Sequence, residues 1–216
     1  MNLLVYAGLP LLSYLLGAVP FGLLLARSRG LDIRTVGSGN IGATNVWRHL
    51  GKTWGLTTFA LDVMKGYLPA AVFPWLAAGW LGFQGSTDLL GLGCGVASIA
   101  GHNWPIYLKF RGGKGVATSA GVLLGVAPAA VGVGLAVWVL LFFTTHYVSL
   151  ASMSAGLTVA AAGWVFYGDA HRALPVTLTV LALIVVWRHR ANIQRLRQGT
   201  ESKSYMRKRR KNPRTG

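Results

Sequence analysis

Long apolar stretches alternate with short basic and polar segments along the whole chain. A helix needs roughly 20 apolar residues to cross the hydrocarbon core of a bilayer. We place spans at about 2–26, 54–80, 89–108, 148–167 and 174–187, with a longer apolar stretch over 116–145. Residues 1–26 lack a basic start and remain apolar too long for a cleaved signal, so we expect them to form the first span. The pattern predicts an all-α, polytopic membrane protein.

Basic residues set the expected orientation. Segment 27–53, loop 109–115 and the residues after Trp187 are rich in Lys and Arg, which membrane proteins keep in the cytoplasm. If 116–145 were one span, the C-terminus would emerge outside, so we expect a break near Pro128 that makes two short spans. A re-entrant segment would satisfy the same constraint.

The resulting prediction is a bundle of about seven transmembrane helices, some of them short or broken. The N-terminus is expected outside the cell and the C-terminus in the cytoplasm. Residues 1–205 are predicted to form a single transmembrane domain, and residues 206–216 a basic cytoplasmic tail.

Composition agrees with this class. Of 216 residues, 53% are hydrophobic and 12% are charged, and that charged share is about half that of an average soluble domain. The net charge of +16 would suggest a nucleic-acid partner in a soluble protein. Here the basic residues occupy loops and the tail, so we expect contact with anionic membrane lipid and no nucleic acid.

With this topology, the polar clusters of the chain converge on one membrane face. They are 36–48, 101–118, 144–149 and 188–201. Unrelated loops would be expected to scatter over both faces, so the convergence favours a site built from several interhelical segments.

The first cluster runs from Gly37 to Arg48 and is dense in hydrogen-bond donors. Ser38, Asn40 and Asn45 supply neutral donors, and Arg48 supplies a planar fork that suits phosphate oxygens. A polar turn that caps a helix is the alternative interpretation of this segment.

The second cluster surrounds Lys114 with Gly112, Gly113 and Gly115. Glycines expose backbone N–H groups, and a nearby lysine adds charge, so the segment suits a phosphate. Thr118 begins an apolar segment whose helix N-terminus would point at the same anion. The alternative is a flexible loop with a topology-setting lysine. His102, upstream, is open to three roles: general base, hydrogen-bond donor or helix-end residue.

The last two clusters contribute Ser149 and the series His189, Asn192 and Arg195. Residues spaced by three lie on one face of a helix, so the series is expected to share a face. Alone, Ser149 fits a helix-packing hydroxyl, and the basic residues fit a snorkelling anchor. His189 and Asn192 do not suit an anchor, because neither carries reliable charge.

Acidic residues are few, which narrows the chemistry. The five are Asp32, Asp62, Asp88, Asp169 and Glu201. No metal-binding His, Cys or carboxylate spacing and no GxSxG turn is present. No His has an Asp five positions later, so the His/Asp pair of coenzyme-A-dependent glycerolipid acyltransferases is missing. A site rich in anion-binding groups and poor in bases suits a substrate that arrives already activated.

The stretches Gly37–Arg48, Gly101–Thr118 and His189–Glu201 closely resemble the motifs of the bacterial acyl-phosphate:glycerol-3-phosphate acyltransferases (PlsY-type). The resemblance covers nearly the whole chain. It implies a multi-pass enzyme of the bacterial inner membrane with its active site at the cytoplasmic face. Glycerol 3-phosphate and fatty acyl phosphate would react to give lysophosphatidic acid and inorganic phosphate. No cofactor or metal is implied, and functional coupling to an enzyme that makes acyl phosphate is expected.

The resemblance also implies roles for individual residues. Those expected in catalysis are Lys114, His189, Asn192 and Ser149. Those expected to bind substrate are Ser38, Asn40, Asn45, Arg48, His102, Gly112, Gly113, Gly115, Thr118 and Arg195. The competing hypothesis is a transporter of a phosphorylated metabolite, which would also use broken helices and basic residues. Against it, no internal repeat is detected and the polar clusters gather at one face.

Overall fold

The structure, a computed structural model, describes residues 2–169 and 172–204. Over these residues the regular structure is helical and contains no strand. The α-helices are α1 (Asn2–Ala18), α2 (Phe21–Arg27), α3 (Ala43–Leu50), α4 (Lys52–Tyr67), α5 (Phe73–Trp80), α6 (Thr87–Asn103), α7 (Val116–Val126), α8 (Pro128–Thr145), α9 (Val148–Tyr167), α10 (Ala173–Arg188) and α11 (Arg190–Arg197). The basic tail predicted over 206–216 lies outside the described residues.

Within the described residues, three parts of this framework are long and apolar enough to cross a membrane. They are the segment Asn2–Arg27, α8 and α9; α10 and α11, bent by 55° at their junction, give a fourth if they form one broken span. Large apolar side chains such as Leu140 and Leu183 are 62% and 58% exposed, as lipid-facing positions require. The all-helical membrane class is confirmed, while the count of seven spans and the orientation of the termini stay predictions.

Several apolar stretches are interrupted where proline occurs. Proline lacks the N–H that a helix interior needs, and its ring collides with the preceding turn. The first stretch breaks at Pro20, and the stretch 54–80 passes through a π-helical segment, Leu68–Val72, that contains Pro69. The break predicted near Pro128 is confirmed, because α7 ends at Val126 and α8 begins at Pro128.

A buried ion pair ties the first helices together. Lys65 Nζ lies 2.8 Å from Asp62 Oδ1 and donates to the carbonyl of Val19 at 2.9 Å, where α1 has ended. The Lys65 and Asp62 side chains are 2% and 4% exposed. Ser98 Oγ of α6 donates to the Lys65 carbonyl at 2.7 Å. His102 Nδ1 lies 3.7 Å from the same oxygen of Asp62. Charged side chains inside membrane proteins are commonly paired in this way.

Helices α1 and α6 pack at backbone distance through Gly17 and Gly101. A Cβ atom at Gly17 would overlap the backbone of Ser98, and one at Gly101 would overlap the backbone of Tyr14. Such close approach through small residues is typical of membrane helices. It fixes the end of α6, which carries His102, against the first helix.

Candidate active site

The loop between α2 and α3 is folded around the side chain of Asn45, which is 2% exposed. Its amide Nδ2 donates to the carbonyls of Ile33, Val36 and Asn40 at 3.0–3.1 Å. Its Oδ1 accepts from the backbone N–H of Ser38 at 3.3 Å. Because both polar atoms of the buried amide are engaged by the loop itself, Asn45 holds Ser38 and Asn40 in place from behind.

The glycine loop, residues 112–115, lies directly before α7 and is hydrogen-bonded on two sides. On one side, the N–H of Gly113 donates to the carbonyl of His102 at 3.1 Å, and the His102 ring leaves no room for a Cβ at Gly113. On the other side, Arg188 at the end of α10 donates from Nε to the Gly113 carbonyl at 3.0 Å. Its Nη2 donates to the Gly112 carbonyl at 2.9 Å. The backbone around Lys114 is therefore held by α6 and α10 together.

Glu201 is the acceptor at which α9 and α11 meet. Its Oε1 accepts from Ser149 Oγ at 2.7 Å and from Asn192 Nδ2 at 2.6 Å, and its Oε2 accepts from Arg195 Nε at 2.7 Å. The Glu201 side chain is 6% exposed. Hydrogen bonds to an ionised carboxylate are about twice as strong as neutral ones, so this carboxylate orients three of the residues expected in the site.

Two further contacts join the remaining segments to this network. Lys114 Nζ donates to Asn192 Oδ1 at 2.5 Å, and Arg48 Nη2 donates to the Ser202 carbonyl at 3.0 Å. Gly115, which follows Lys114, has φ +79°, a conformation that glycine adopts without strain, and α7 begins directly after it. The four clusters singled out in the sequence thus meet in the structure.

A polar cavity of about 250 Å³ opens where the segments converge. It is lined by Ser38, Asn40, Lys114, Arg188, Arg190, Ala191, Asn192 and Arg195. Four of these side chains are cationic and none is acidic. The cavity therefore suits an anion, and a guanidinium or ammonium aimed at a phosphate gives a charge-assisted hydrogen bond.

The charges around the cavity shift the titration of its members. The pKa of Lys114 is lowered to about 8, chiefly by burial; Glu201 opposes the shift, and Arg195, Arg48 and Arg188 add to it. Burial alone would raise the pKa of Glu201, but its hydrogen bonds and the charge of Arg195 lower it overall. Glu201 is therefore an ionised anchor and a weak base.

The expected site residues fall into two groups. Those that line the cavity are Ser38, Asn40, Lys114, Asn192 and Arg195. Those that lie outside its lining are Asn45, Arg48, His102, Gly112, Gly113, Gly115, Thr118, Ser149 and His189. In this second group, His189 is 3% exposed and its Nδ1 lies 2.8 Å from the Val185 carbonyl. Thr118 is fully buried in α7, behind the glycine loop.

Four residues of the site have no role in the sequence prediction: Glu201, and the cavity-lining Arg188, Arg190 and Ala191. Glu201 ends the last motif, but a single carboxylate gives no signal that it gathers three donors. Arg188 fitted a snorkelling anchor, and only the folded chain brings it to the carbonyls of Gly112 and Gly113. Within the described part of the chain, no three His, Cys, Asp or Glu side chains are grouped to hold a metal ion.

Comparison with known protein families gives one match that spans most of the chain. The family model described as glycerol-3-phosphate acyltransferase matches residues 7–199. The glycerol-3-phosphate acyltransferase of Geobacter sulfurreducens is 46% identical over 201 residues, which cover 88% of this chain and 93% of that protein. The enzyme of the same name from Desulforudis audaxviator is 45% identical over 206 residues, covering 91% and 94%.

Two solved structures share the fold. Both are of PlsY (YgiH), described as an integral membrane glycerol 3-phosphate acyltransferase. The glycerol 3-phosphate form matches with a TM-score of 0.81 and 36% identity, covering 93% of this chain and 96% of that one. The lysophosphatidic acid form matches with a TM-score of 0.78 and 35% identity, covering 93% and 95%.

Proposed function

The chain belongs to the glycerol-3-phosphate acyltransferase family, and we propose that it transfers a fatty acyl group from acyl phosphate to glycerol 3-phosphate. The products are lysophosphatidic acid and inorganic phosphate. The acceptor is supported by the relatives, whose names specify glycerol 3-phosphate. The acyl phosphate donor is supported by the chemistry of the site, which is rich in phosphate-binding groups and contains one ionised, weakly basic carboxylate.

The observation that carries the proposal is the cationic cavity and the contact that crosses it. Lys114 on the glycine loop meets Asn192 on α11 at 2.5 Å, so two anion-binding regions adjoin. The loop lies directly before the apolar helix α7, where a donor whose acyl chain lies in the bilayer would present its phosphate. A soluble phosphate ester would enter from the polar side of the cavity, away from α7, where Asn192, Arg195 and the neighbouring Arg48 lie.

The reaction needs positioning more than acid–base strength. The acceptor hydroxyl attacks the acyl carbonyl carbon, a new ester C–O bond forms, and the C–O bond to the phosphate breaks. The hydroxyl proton passes to an oxygen of a substrate phosphate, which is a stronger base than Glu201. Lys114 neutralises charge that develops on the leaving phosphate, and such preorganised electrostatics supply a large share of enzymatic rate enhancement.

His189 and Ser149 orient the acceptor in this scheme. His189 Nδ1 faces a carbonyl at 2.8 Å and so carries the hydrogen, which leaves Nε2 of the neutral ring as an acceptor for a substrate hydroxyl. Ser149 donates its hydroxyl hydrogen to Glu201, so its oxygen lone pairs are available to an incoming hydroxyl group. Metal and cofactor play no part in these steps.

We extend the proposal to the setting of the enzyme. Seven crossings of the bacterial inner membrane, with the N-terminus outside and the C-terminus inside, would put the cavity at the cytoplasmic face, where glycerol 3-phosphate is available. The concentration of Lys and Arg around the cavity supports this orientation. Residues 1–205 act as one catalytic domain, and an enzyme that makes acyl phosphate supplies the donor.

Donor preference tests the proposal. The purified protein in detergent is given glycerol 3-phosphate with palmitoyl phosphate or with palmitoyl coenzyme A, and lysophosphatidic acid is measured by mass spectrometry. Turnover with palmitoyl phosphate alone is expected. Turnover with palmitoyl coenzyme A alone would overturn the donor assignment and leave the acyltransferase activity intact.

A further inference from the structure

The side chain of Arg188 is hydrogen-bonded directly to the backbone of the glycine loop. It donates from Nε to the Gly113 carbonyl at 3.0 Å and from Nη2 to the carbonyls of both Gly112 and Gly113. Its guanidinium carbon also lies 5.8 Å from the Trp104 ring centroid and 5.9 Å from that of Trp187. The two rings are neighbours, with centroids 6.4 Å apart, and a planar fork packed against both has less freedom to reorient. Arg188 is thus fixed while it grips two successive carbonyls.

These hydrogen bonds fix the orientation of the peptide groups in the loop. In a trans peptide the C=O and N–H bonds point in opposite directions, and the described residues contain no cis peptide. Turning the Gly112 carbonyl to Arg188 turns the N–H of Gly113 to the His102 carbonyl, which it contacts at 3.1 Å. Turning the Gly113 carbonyl to Arg188 likewise turns the N–H of Lys114 to the opposite side.

Both carbonyl oxygens carry partial negative charge and would repel a phosphate. With a guanidinium bound to them, their charge is balanced, and the loop residue that lines the cavity is the cationic Lys114. A lysine at position 188 would keep the positive charge but has a single point donor, so it cannot hold two carbonyls as the fork does.

We propose that Arg188 is a positioning residue for the acyl donor, acting through the carbonyls of Gly112 and Gly113 to shape the phosphate-binding loop. This inference rests on the proposed function in one respect, the assignment of the loop to the donor's phosphate. The role is distinct from a general contribution of positive charge to the cavity, and the two make different predictions for the conservative variant.

The test compares Arg188→Lys and Arg188→Gln with the matched pair Arg197→Lys and Arg197→Gln, since Arg197 is exposed on α11 and does not line the cavity. Initial rates are measured against palmitoyl phosphate and against glycerol 3-phosphate. We expect KM for palmitoyl phosphate to rise about tenfold or more in both Arg188 variants, as for the loss of at least one charged hydrogen bond. KM for glycerol 3-phosphate should stay within about twofold, because the loop does not bind its phosphate in this scheme.

A second readout does not depend on turnover. Arg111 is exposed at the start of the loop, and trypsin cleaves after arginine when the local backbone can open. The rate of cleavage after Arg111, followed by mass spectrometry of the full protein, should increase in both Arg188 variants and stay at the wild-type rate in both Arg197 variants.

These results separate the alternatives. Wild-type kinetics and wild-type cleavage in Arg188→Lys would overturn the inference, because charge alone would then suffice. A parallel rise of both KM values with unchanged cleavage would also overturn it, in favour of a charge effect in the cavity. If Arg188→Gln does not fold, Arg188→Lys carries the test. If wild-type protein fails to use palmitoyl phosphate, the proposed function fails, and the cleavage comparison still decides the role of Arg188.

Discussion

Glu201→Gln tests how the anion site is organised, because Glu201 is the common acceptor of Ser149, Asn192 and Arg195. The glutamine keeps an oxygen where Ser149 and Asn192 donate. If its NH₂ group takes the place of Oε2, it meets the Nε–H of Arg195, donor against donor. The substitution therefore removes one charge-assisted hydrogen bond and the negative charge, and it preserves the size of the side chain.

The magnitude follows from that single lost contact. A hydrogen bond to a charged group contributes about 1.5–3 kcal/mol. Arg195 is 36% exposed, so solvent screening reduces the value to about 1–2 kcal/mol. At about 1.4 kcal/mol per factor of ten, kcat/KM for glycerol 3-phosphate should fall about 5- to 30-fold. Glu201→Ala removes the acceptor of all three donors, and it leaves the Nδ2 group of the buried Asn192 without this partner, so the loss of kcat/KM should be larger.

The assay is steady-state phosphate release with palmitoyl phosphate in excess and glycerol 3-phosphate varied, together with the melting temperature of each variant. Asp88→Asn is the matched control, because Asp88 is exposed in the first turn of α6, and the site lies at the other end of that helix. Activity should decrease in the order wild type, Glu201→Gln, Glu201→Ala. Wild-type kcat/KM in Glu201→Gln would show that the carboxylate charge does not organise these donors. Equal losses in the two variants would show that the hydrogen bonds from Ser149 and Asn192 add nothing to the effect of the charge.

Three further outcomes are expected. The kcat/KM of the wild type should fall as pH rises through about 8, because Lys114 loses its proton there in the enzyme without substrate. This decrease should be absent in an active Lys114→Arg variant, and an identical pH profile in that variant would contradict the assignment. Gly113→Ala should lower kcat/KM by about 100-fold, as for a catalytic group displaced by roughly 1 Å, because its Cβ meets the histidine ring behind the loop. Gly79→Ala, with open space around it, is the control, and equal rates in the two variants would be inconsistent with this packing. Asp62→Asn should lower the free energy of unfolding by about 3–5 kcal/mol, measured by thermal melting in detergent, with recovery in Asp62→Asn/Lys65→Met; an undiminished melting temperature in the single variant would count against the buried pair.

The helical framework was largely predictable because hydropathy reports directly on burial in lipid. The requirement that the basic C-terminus be cytoplasmic predicted the break near Pro128, and the structure contains that break. The interruptions at Pro20 and over Leu68–Val72 were not predicted, since an apolar stretch with an internal proline has the same average hydropathy whether its helix continues or bends. The Asp62–Lys65 pair also escaped notice, because neither residue by itself shows that it will be buried beside the other.

The candidate site was predictable at the level of segments and less so at the level of contacts. Lys114 and Asn192 were expected in one site, and they are hydrogen-bonded. Asn45 and His102 were expected to bind substrate, and they support loops from behind instead of lining the cavity. Residue type reveals which chemistry is available, but the direction of a side chain depends on contacts from distant parts of the chain, such as that of Arg188 with Gly112.

In the mechanism proposed above, this protein joins an acyl group from acyl phosphate to glycerol 3-phosphate at the Lys114 cavity. The most direct measurement is the yield of lysophosphatidic acid and of inorganic phosphate from palmitoyl phosphate and glycerol 3-phosphate, in proteoliposomes containing wild type or Lys114→Ala. We expect equal amounts of both products from wild type and severely reduced amounts of both from the variant. Phosphate without lysophosphatidic acid, or uptake of unreacted glycerol 3-phosphate into the vesicles, would be inconsistent with this reaction.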